Sequence, residues 1–206
     1  MQRRFFISTI AAALMALPAA PGMAAPAFNG IDLTGASIGP DYKLFYADGK
    51  PASLRDFEGK TVMLFFGFTQ CPDVCPTALS RAVEIKRLLG VDGKKLQVVF
   101  ATVDPERDTG PLLTEYMRAF DPTFVGVRGN AEQTAKTAAD FKIFYRKVPS
   151  GSSYSMDHTA ITYVFDADGK IRLAFKHDQT AQQCADDLRK LMAPKRPTSF
   201  LKGLFE

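Results

Sequence analysis

The stretch TVMLFFGFTQCPDVCP, residues Thr61–Pro76, decides the fold class of this chain. It opens with a continuous apolar run, Thr61 to Phe68, which has the length of a strand and is typical of a central strand buried on both faces. From Pro76 to Leu89 the apolar residues then recur at helical spacing, and a proline suits the first turn of a helix. A buried strand that leads directly into a helix predicts an α/β fold.

The same order recurs along the rest of the chain. Further strands are predicted at 96–103, 124–127, 159–165 and 171–175, further helices at 111–120, 131–141 and 180–192, a hairpin at 42–50 and a polar loop at 148–157. The last two strands are joined by Asp166–Gly169, a hairpin signal. This order predicts a thioredoxin-like fold in which helices flank a central, mainly parallel sheet, with an N-terminal β-hairpin extension.

The N-terminus has the layout of an export signal. Arg3 and Arg4 precede an uncharged apolar run, and small residues follow it, so we predict a signal peptide over residues 1–24 that is cut after Ala24, with Ala27 as second choice. The run falls short of the roughly 20 residues that span a bilayer, which disfavours an uncleaved anchor. The paired arginines fit either a twin-arginine or a general secretory signal, and both lead to the periplasm.

The remaining 182 or so residues suit one domain. We assign 25–40 to a flexible N-terminal arm, 41–193 to the thioredoxin-like domain and 194–206 to a C-terminal tail. The net charge of +4 is mild, and no basic stripe suited to releasing phosphate counterions is present, which argues against nucleic acid as a partner. We expect membrane association only through a partner or an uncleaved signal.

Cys71 and Cys75 stand where the buried strand gives way to the helix, at the sheet edge where α/β proteins bind ligands. The positive end of a helix favours thiolate, the form that binds metals and attacks disulfides. The pair can be an inert or structural disulfide, a catalytic dithiol or part of a metal site. Thioredoxins have two residues between their cysteines and a cis-proline facing them, whereas here there are three, and no proline occurs from Gly151 to Ala193.

A metal site needs a third ligand, and His158 is the candidate. It lies between the polar loop and an apolar strand, at the sheet edge that is predicted to face the dithiol. His177 fits a solvated loop, and Cys184 fits a buried core thiol. Two thiolates and an imidazole suit copper, whereas structural zinc normally takes four protein ligands. Asp73 and Asp157 flank the ligands, where each is either a solvated carboxylate or a group that orients His158 or weakly contacts the metal.

Three segments resemble the SCO/SenC family of copper-delivery proteins: GFTQCPDVCPTAL, TVDPERDT and DHTAITYVFDADG. The similarity spans roughly Gly39 to Met192. The resemblance implies that Cys71, Cys75 and His158 are the ligands of a copper ion, Cu(I) or Cu(II). The DPERD segment belongs to the family pattern too, and we interpret it as a structural loop in which Arg107 is free to form an ion pair.

The resemblance also implies a function in assembling the binuclear copper centre of cytochrome c oxidase subunit II. The protein would deliver copper there, or act as a thiol-disulfide reductase on that subunit's cysteines. In the second role Cys71 and Cys75 form a redox-active pair, with Cys71 as the attacking thiol, so enzymatic activity stays open. The expected partners are subunit II and other periplasmic copper carriers or thiol reductants.

Overall fold

The structure is a computed structural model that describes residues 27–194, so the predicted export signal and the part of the predicted C-terminal tail beyond Pro194 lie outside the described residues. The strands are β1 Ile31–Asp32, β2 Leu44–Tyr46, β3 Pro51–Ala52, β4 Thr61–Gly67, β5 Leu96–Thr102, β6 Val125–Arg128, β7 Tyr145–Ser150, β8 Ser153–His158, β9 Thr162–Phe165 and β10 Ile171–Phe175. The helices are α1 Val74–Leu89, α2 Gly110–Phe120, α3 Ala131–Asp140 and α4 Ala181–Met192, with short 3-10 turns at Leu54–Phe57 and Gly90–Lys95. Within this range no helix combines the length and the apolar character that crossing a membrane requires.

Eight strands form one sheet in the order β1-β10-β9-β4-β5-β6-β2-β3. The centre is parallel, since β5 pairs in parallel with both β4 and β6. The outer pairs are antiparallel. The sheet as a whole is therefore mixed, with a parallel centre and antiparallel flanks. The parallel centre, the flanking helices and the β2–β3 hairpin agree with the predicted thioredoxin-like fold.

The core lies on both faces of the central strands. Every residue of β4 and β5 is buried, as their continuous apolar sequences predict. Neighbouring residues of β4 point to opposite faces: the ring of Phe65 packs against Phe100, and that of Phe66 packs against Phe141 at the end of α3. The carboxyl end of β4 is consequently held from both sides, which fixes the start of the loop that carries the cysteines.

The described part of the proposed N-terminal arm lies along the sheet. β1 pairs with β10, and the backbone amides of Asn29 and Gly30 both donate to the fully buried carboxylate of Asp187 in α4, at 3.0 and 2.8 Å. These contacts attach residues 29–32 to the domain. They could not be predicted from the local sequence because they depend on a carboxylate more than 150 residues away.

The prediction of a polar loop at 148–157 is wrong. β7 and β8 form a separate two-stranded antiparallel sheet whose register pairs Tyr145 with His158 and Ser150 with Ser153. Gly151 turns the chain with φ of 58°. The segment lacks the apolar alternation of a half-buried strand because most of β7 faces solvent, so its pattern is that of a loop.

Candidate metal centre

The two cysteines lie at the junction between β4 and α1. The helix begins at Val74, two residues before the predicted start, so Cys75 lies in its first turn and Cys71 in the preceding loop. The amide of Cys75 donates to the sulfur of Cys71 at 3.4 Å. The first amides of a helix have no partner within the helix, and here one of them faces the Cys71 sulfur. Negative charge on that sulfur is therefore stabilised.

Cys75 is completely buried, and its position depends on Gly67, the last residue of β4. A Cβ atom at Gly67 would lie 2.7 Å from the sulfur of Cys75 and 2.9 Å from the rings of Phe65 and Phe100. Only glycine leaves space for the sulfur against the strand. The role of Gly67 was not predicted from the sequence, although a glycine between two phenylalanines at the end of a buried strand is the signal that could have indicated it.

His158 reaches the cysteines from the end of β8. Its Nε2 lies 3.6 Å from the sulfur of Cys75, and its Nδ1 lies 3.2 Å from the carbonyl oxygen of Thr159. A carbonyl only accepts, so the proton belongs on Nδ1, which leaves the Nε2 lone pair free to bind a metal. The rings of Phe65 and Phe68 pack edge to face against the imidazole and limit its rotation.

The thiols of the pair differ in acidity. A hydrogen bond from the Cys75 thiol is the main cause that lowers the pKa of Cys71 to about 5, with help from the backbone amides of Asp73 and Cys75. The same hydrogen bond, together with burial, raises the pKa of Cys75 far above its ordinary value. The reduced pair therefore holds one proton, on Cys75, and one negative charge, on the half-buried Cys71.

The three ligand atoms of Cys71, Cys75 and His158 all lie within 4.8 Å of one another. Bonds of about 2.0–2.3 Å, as zinc makes to nitrogen and sulfur, place ligand atoms about 4 Å apart, so small movements bring all three onto one ion. Between residues 27 and 194 this is the one group of three or more His, Cys, Asp or Glu side chains that could hold a metal. Two soft sulfurs and one nitrogen, without a fourth such ligand, fit copper better than structural zinc.

Asp108 supports the loop before Cys71, a contact that the sequence analysis missed. This buried carboxylate accepts hydrogen bonds from the amide of Thr69 at 3.1 Å, from the Thr69 hydroxyl at 2.6 Å and from the Thr102 hydroxyl at 2.5 Å. Burial raises its pKa. The predicted structural role of the DPERD loop is confirmed, as is the ion pair of Arg107, which forms with Asp104 at 2.5 Å.

Neither flanking aspartate orients His158. The carboxylate of Asp157 pairs instead with Arg146 at 3.3 Å, and Asp73 is the residue that precedes α1, where its carboxylate accepts from the Thr77 hydroxyl at 3.4 Å. The second nitrogen of His158 faces a backbone carbonyl, as described above. A neighbouring carbonyl on the same strand end replaces the carboxylate that the sequence analysis considered.

The other two candidate ligands lie apart from the cluster. Cys184 is a fully buried thiol on α4, as predicted, and burial raises its pKa to about 11. His177 lies in the loop between β10 and α4, also as predicted, although its ring is partly buried rather than fully solvated. All three cysteines are free thiols in the structure.

The fold and the cluster together define a class, a thioredoxin-like domain with a candidate three-ligand metal site at the carboxyl edge of its sheet. The SCO1/SenC family model matches residues 32–193, which is most of the chain. The protein therefore belongs to the SCO1/SenC family, and the resemblance seen in the three sequence segments is confirmed.

Individual relatives give the same result. A "SCO2-like protein" of Rickettsia felis is 36% identical over 169 residues, which cover 81% of this chain and 76% of that protein. Among solved structures, ScoI of Bradyrhizobium japonicum with copper bound is 37% identical, with a TM-score of 0.69 over 75% of this chain and 99% of that one. Yeast Sco1 with copper bound is 26% identical, with a TM-score of 0.69 over 79% and 92% of the two chains.

Proposed function

We propose that this protein is a periplasmic copper chaperone that delivers copper to the binuclear centre of cytochrome c oxidase subunit II during assembly. One observation carries the proposal: the ligand atoms of Cys71, Cys75 and His158 lie within 4.8 Å of one another at the carboxyl edge of the sheet. In this role the copper ion is the cargo, and Cys71, Cys75 and His158 are its ligands.

The three ligands differ in what they contribute to holding a cargo ion. Thiolates are soft ligands that suit Cu(I), and imidazole allows the same site to accept Cu(II). The sulfur of Cys75 is buried, whereas Cys71 is partly open to solvent. A three-ligand site with one accessible sulfur leaves a side from which an acceptor's own ligands can attack the ion. This arrangement suits transfer better than permanent storage.

Membership of the SCO1/SenC family supports the choice of metal, since related structures have been solved with copper bound. The acceptor and the compartment come from the sequence: the family resemblance implies subunit II, and the N-terminal segment has the layout of an export signal. An exported chaperone would meet its acceptor outside the cytoplasm.

The test compares copper binding by the reduced protein with binding by His158→Ala. We expect one copper per wild-type chain in either oxidation state. His158→Ala should retain Cu(I) on its two thiolates and lose Cu(II) affinity by at least about tenfold. His177→Ala is the matched control, because it removes the chain's second histidine, which lies outside the cluster. It should bind copper as the wild type does. A reduced wild-type protein that binds no copper would end the chaperone proposal.

A thiol-disulfide reductase is the second candidate, because the pKa of Cys71 is lowered and Cys71 is the more accessible thiol. The Cys71 thiolate would attack a disulfide of the partner and form a mixed disulfide. Cys75 would then release the partner as a dithiol, leaving a Cys71–Cys75 disulfide, so two electrons pass from this protein to its partner. His158 discriminates: a reductase tolerates His158→Ala, whereas a copper chaperone loses oxidase assembly in a strain that carries it.

A further inference from the structure

Arg107 connects the three segments that meet at the candidate metal centre. Its Nε donates to the carboxylate of Asp104 in its own loop at 2.5 Å. Its Nη1 donates to Oε1 of Gln70, the residue before Cys71, at 3.0 Å, and to the carbonyl oxygen of Tyr154 on β8 at 2.7 Å. One side chain thus joins the loop after β5, the cysteine loop and the hairpin that carries His158.

Tyr154 makes this link to the hairpin firm. Its ring lies under the Arg107 guanidinium at 3.7 Å, and its hydroxyl donates to the other oxygen of Asp104 at 2.9 Å. Tyr154 and His158 are four residues apart on β8, so they share the face that points toward the domain. Tyr154 lies near the start of β8 and His158 is its last residue, so holding Tyr154 fixes the strand from which His158 projects.

The link lies on the inner side of the hairpin and is largely shielded from water. The Asp104 side chain is 1% exposed and that of Arg107 is 16% exposed, so the charges of the pair are weakly screened. A planar guanidinium can satisfy a carboxylate, an amide oxygen and a carbonyl while stacking on an aromatic ring, which no other side chain does.

We propose that Arg107 is a positioning residue that sets the distance between His158 and the cysteine pair, and so tunes the affinity of the site for Cu(II). The inference rests on the proposed copper binding and adds to it the group that holds its two halves together. Without Arg107 the hairpin loses its attachment to the cysteine loop and one of its attachments to the loop after β5, and His158 moves relative to the sulfur of Cys75. Cu(I) binding depends on the thiolates and should be far less sensitive.

The experiment is a double-mutant cycle on the full mature chain, measuring Cu(II) and Cu(I) affinity and the Cu(II)–thiolate absorption band. Arg107→Ala should lower Cu(II) affinity by about tenfold and shift that band. Tenfold is the lower end of the effects seen when a group that holds a metal ligand in place is removed. Cu(I) affinity should change by less than about threefold. In the His158→Ala background, adding Arg107→Ala should change Cu(II) affinity by less than about twofold, since the group being positioned is gone.

Two further variants separate positioning from loss of structure. Arg128→Ala is the matched control, because Arg128 donates to the carbonyls of Asp108 and Pro105 and so supports the same loop without contacting the hairpin. It should lower the unfolding temperature and leave Cu(II) affinity unchanged. Tyr154→Phe keeps the ring and removes the hydroxyl bond to Asp104, which should lower Cu(II) affinity by about threefold, the effect of one hydrogen bond.

The outcomes separate this inference from the proposed function. A wild-type protein that binds copper through His158, with Cu(II) affinity unchanged in both Arg107→Ala and Tyr154→Phe, overturns the positioning role alone. The positioning role is also overturned if Arg107→Ala lowers Cu(II) affinity equally in the wild-type and His158→Ala backgrounds, or if Arg128→Ala lowers Cu(II) affinity as much as Arg107→Ala does. If the wild-type protein binds no copper, the proposed function itself has failed. If Arg107→Ala does not fold, Tyr154→Phe in the same cycle decides the question.

Discussion

The two halves of the candidate metal centre are built in opposite ways. The cysteine half lies at the junction of β4 and α1, where Cys75 is buried beneath strands that are paired on both sides. The histidine half is the end of a two-stranded sheet that stands apart from the main one, and most of β7 is exposed. Core packing therefore places the cysteines, whereas a few polar contacts and two aromatic rings place the histidine.

This difference assigns separate roles to the halves. Elements with few buried contacts open locally at lower cost than the core does. The dithiol should stay formed whenever the domain is folded, while the hairpin can shift and carry His158 away from Cys75. We therefore expect changes in the cysteine half to lower the affinity for both Cu(I) and Cu(II). Changes in the histidine half should lower mainly the affinity for Cu(II).

Removing the buried sulfur should have the largest effect. Cys75→Ala leaves one thiolate and one imidazole, and we expect copper binding to be lost in both oxidation states at micromolar protein. Cys184→Ala is the matched control, because it also removes a fully buried thiol from a helix. Each variant should cost about 1 kcal/mol in the free energy of unfolding. Stoichiometric copper on Cys75→Ala would show that Cys75 is not a ligand.

The reactivity of Cys71 should be the next largest effect. Because its pKa is lowered to about 5, Cys71 remains a thiolate from high pH down to that value and becomes protonated only below it. At pH 7 its thiolate fraction should exceed that of an ordinary thiol by about thirtyfold. The rate of alkylation of the reduced, copper-free protein against pH, with the modified site found by mass spectrometry, measures this.

The cause of that shift can be tested separately. The hydrogen bond from Cys75 is the main contribution, so Cys75→Ala should move the midpoint of Cys71 alkylation toward higher pH. The raised pKa values of Cys75 and Cys184 should keep both unreactive near neutrality in the wild-type protein. A wild-type midpoint near 9 would contradict the proposed charge on Cys71.

Crowding the buried Cys75 sulfur should have a smaller effect on the affinities for Cu(I) and Cu(II). In Gly67→Ala the new methyl group meets the Cys75 sulfur and two phenylalanine rings, so we expect a loss of about 1–3 kcal/mol in stability and a clear fall in both Cu(I) and Cu(II) affinity. Gly126→Ala in β6 is the control. Its methyl group would lie 2.4 Å from the side chain of Leu113, so it should destabilise the fold and leave copper affinity unchanged.

The same contrast explains how much the sequence could predict. The apolar runs of β4 and β5 predict buried strands because local sequence and tertiary burial agree there, and the cysteines follow from where β4 ends. The β7–β8 hairpin was predicted as a loop, since its residues face solvent and carry no apolar alternation. His158 was found by its place in the sequence and by family resemblance, while the polar contacts that tie its hairpin and the cysteine loop to the loop after β5 join residues 37 to 50 positions apart in the chain.

Gly67 and Asp108 were missed as members of the site for a related reason. Each acts through a contact that has no periodic signature: a close approach of backbone to sulfur in one case, and three hydrogen bonds from β5 and the cysteine loop in the other. Patterns of hydrophobicity predict which elements form and pack. They do not predict which single polar group completes the hydrogen bonding between two loops.

The smallest effect should come from the outer face of the hairpin. Asp157 is next to His158 in sequence, but neighbouring side chains of a strand point to opposite faces, and its carboxylate pairs with Arg146 in solvent, where the two side chains are 53% and 66% exposed. We expect Asp157→Asn to change copper affinity by less than about twofold and stability by less than about 1 kcal/mol, since exposed ion pairs contribute little. Arg146→Ala, which breaks the same pair from the other side, should behave alike. A tenfold loss of Cu(II) affinity in Asp157→Asn alone would place that carboxylate at the metal and make the histidine half a two-ligand unit.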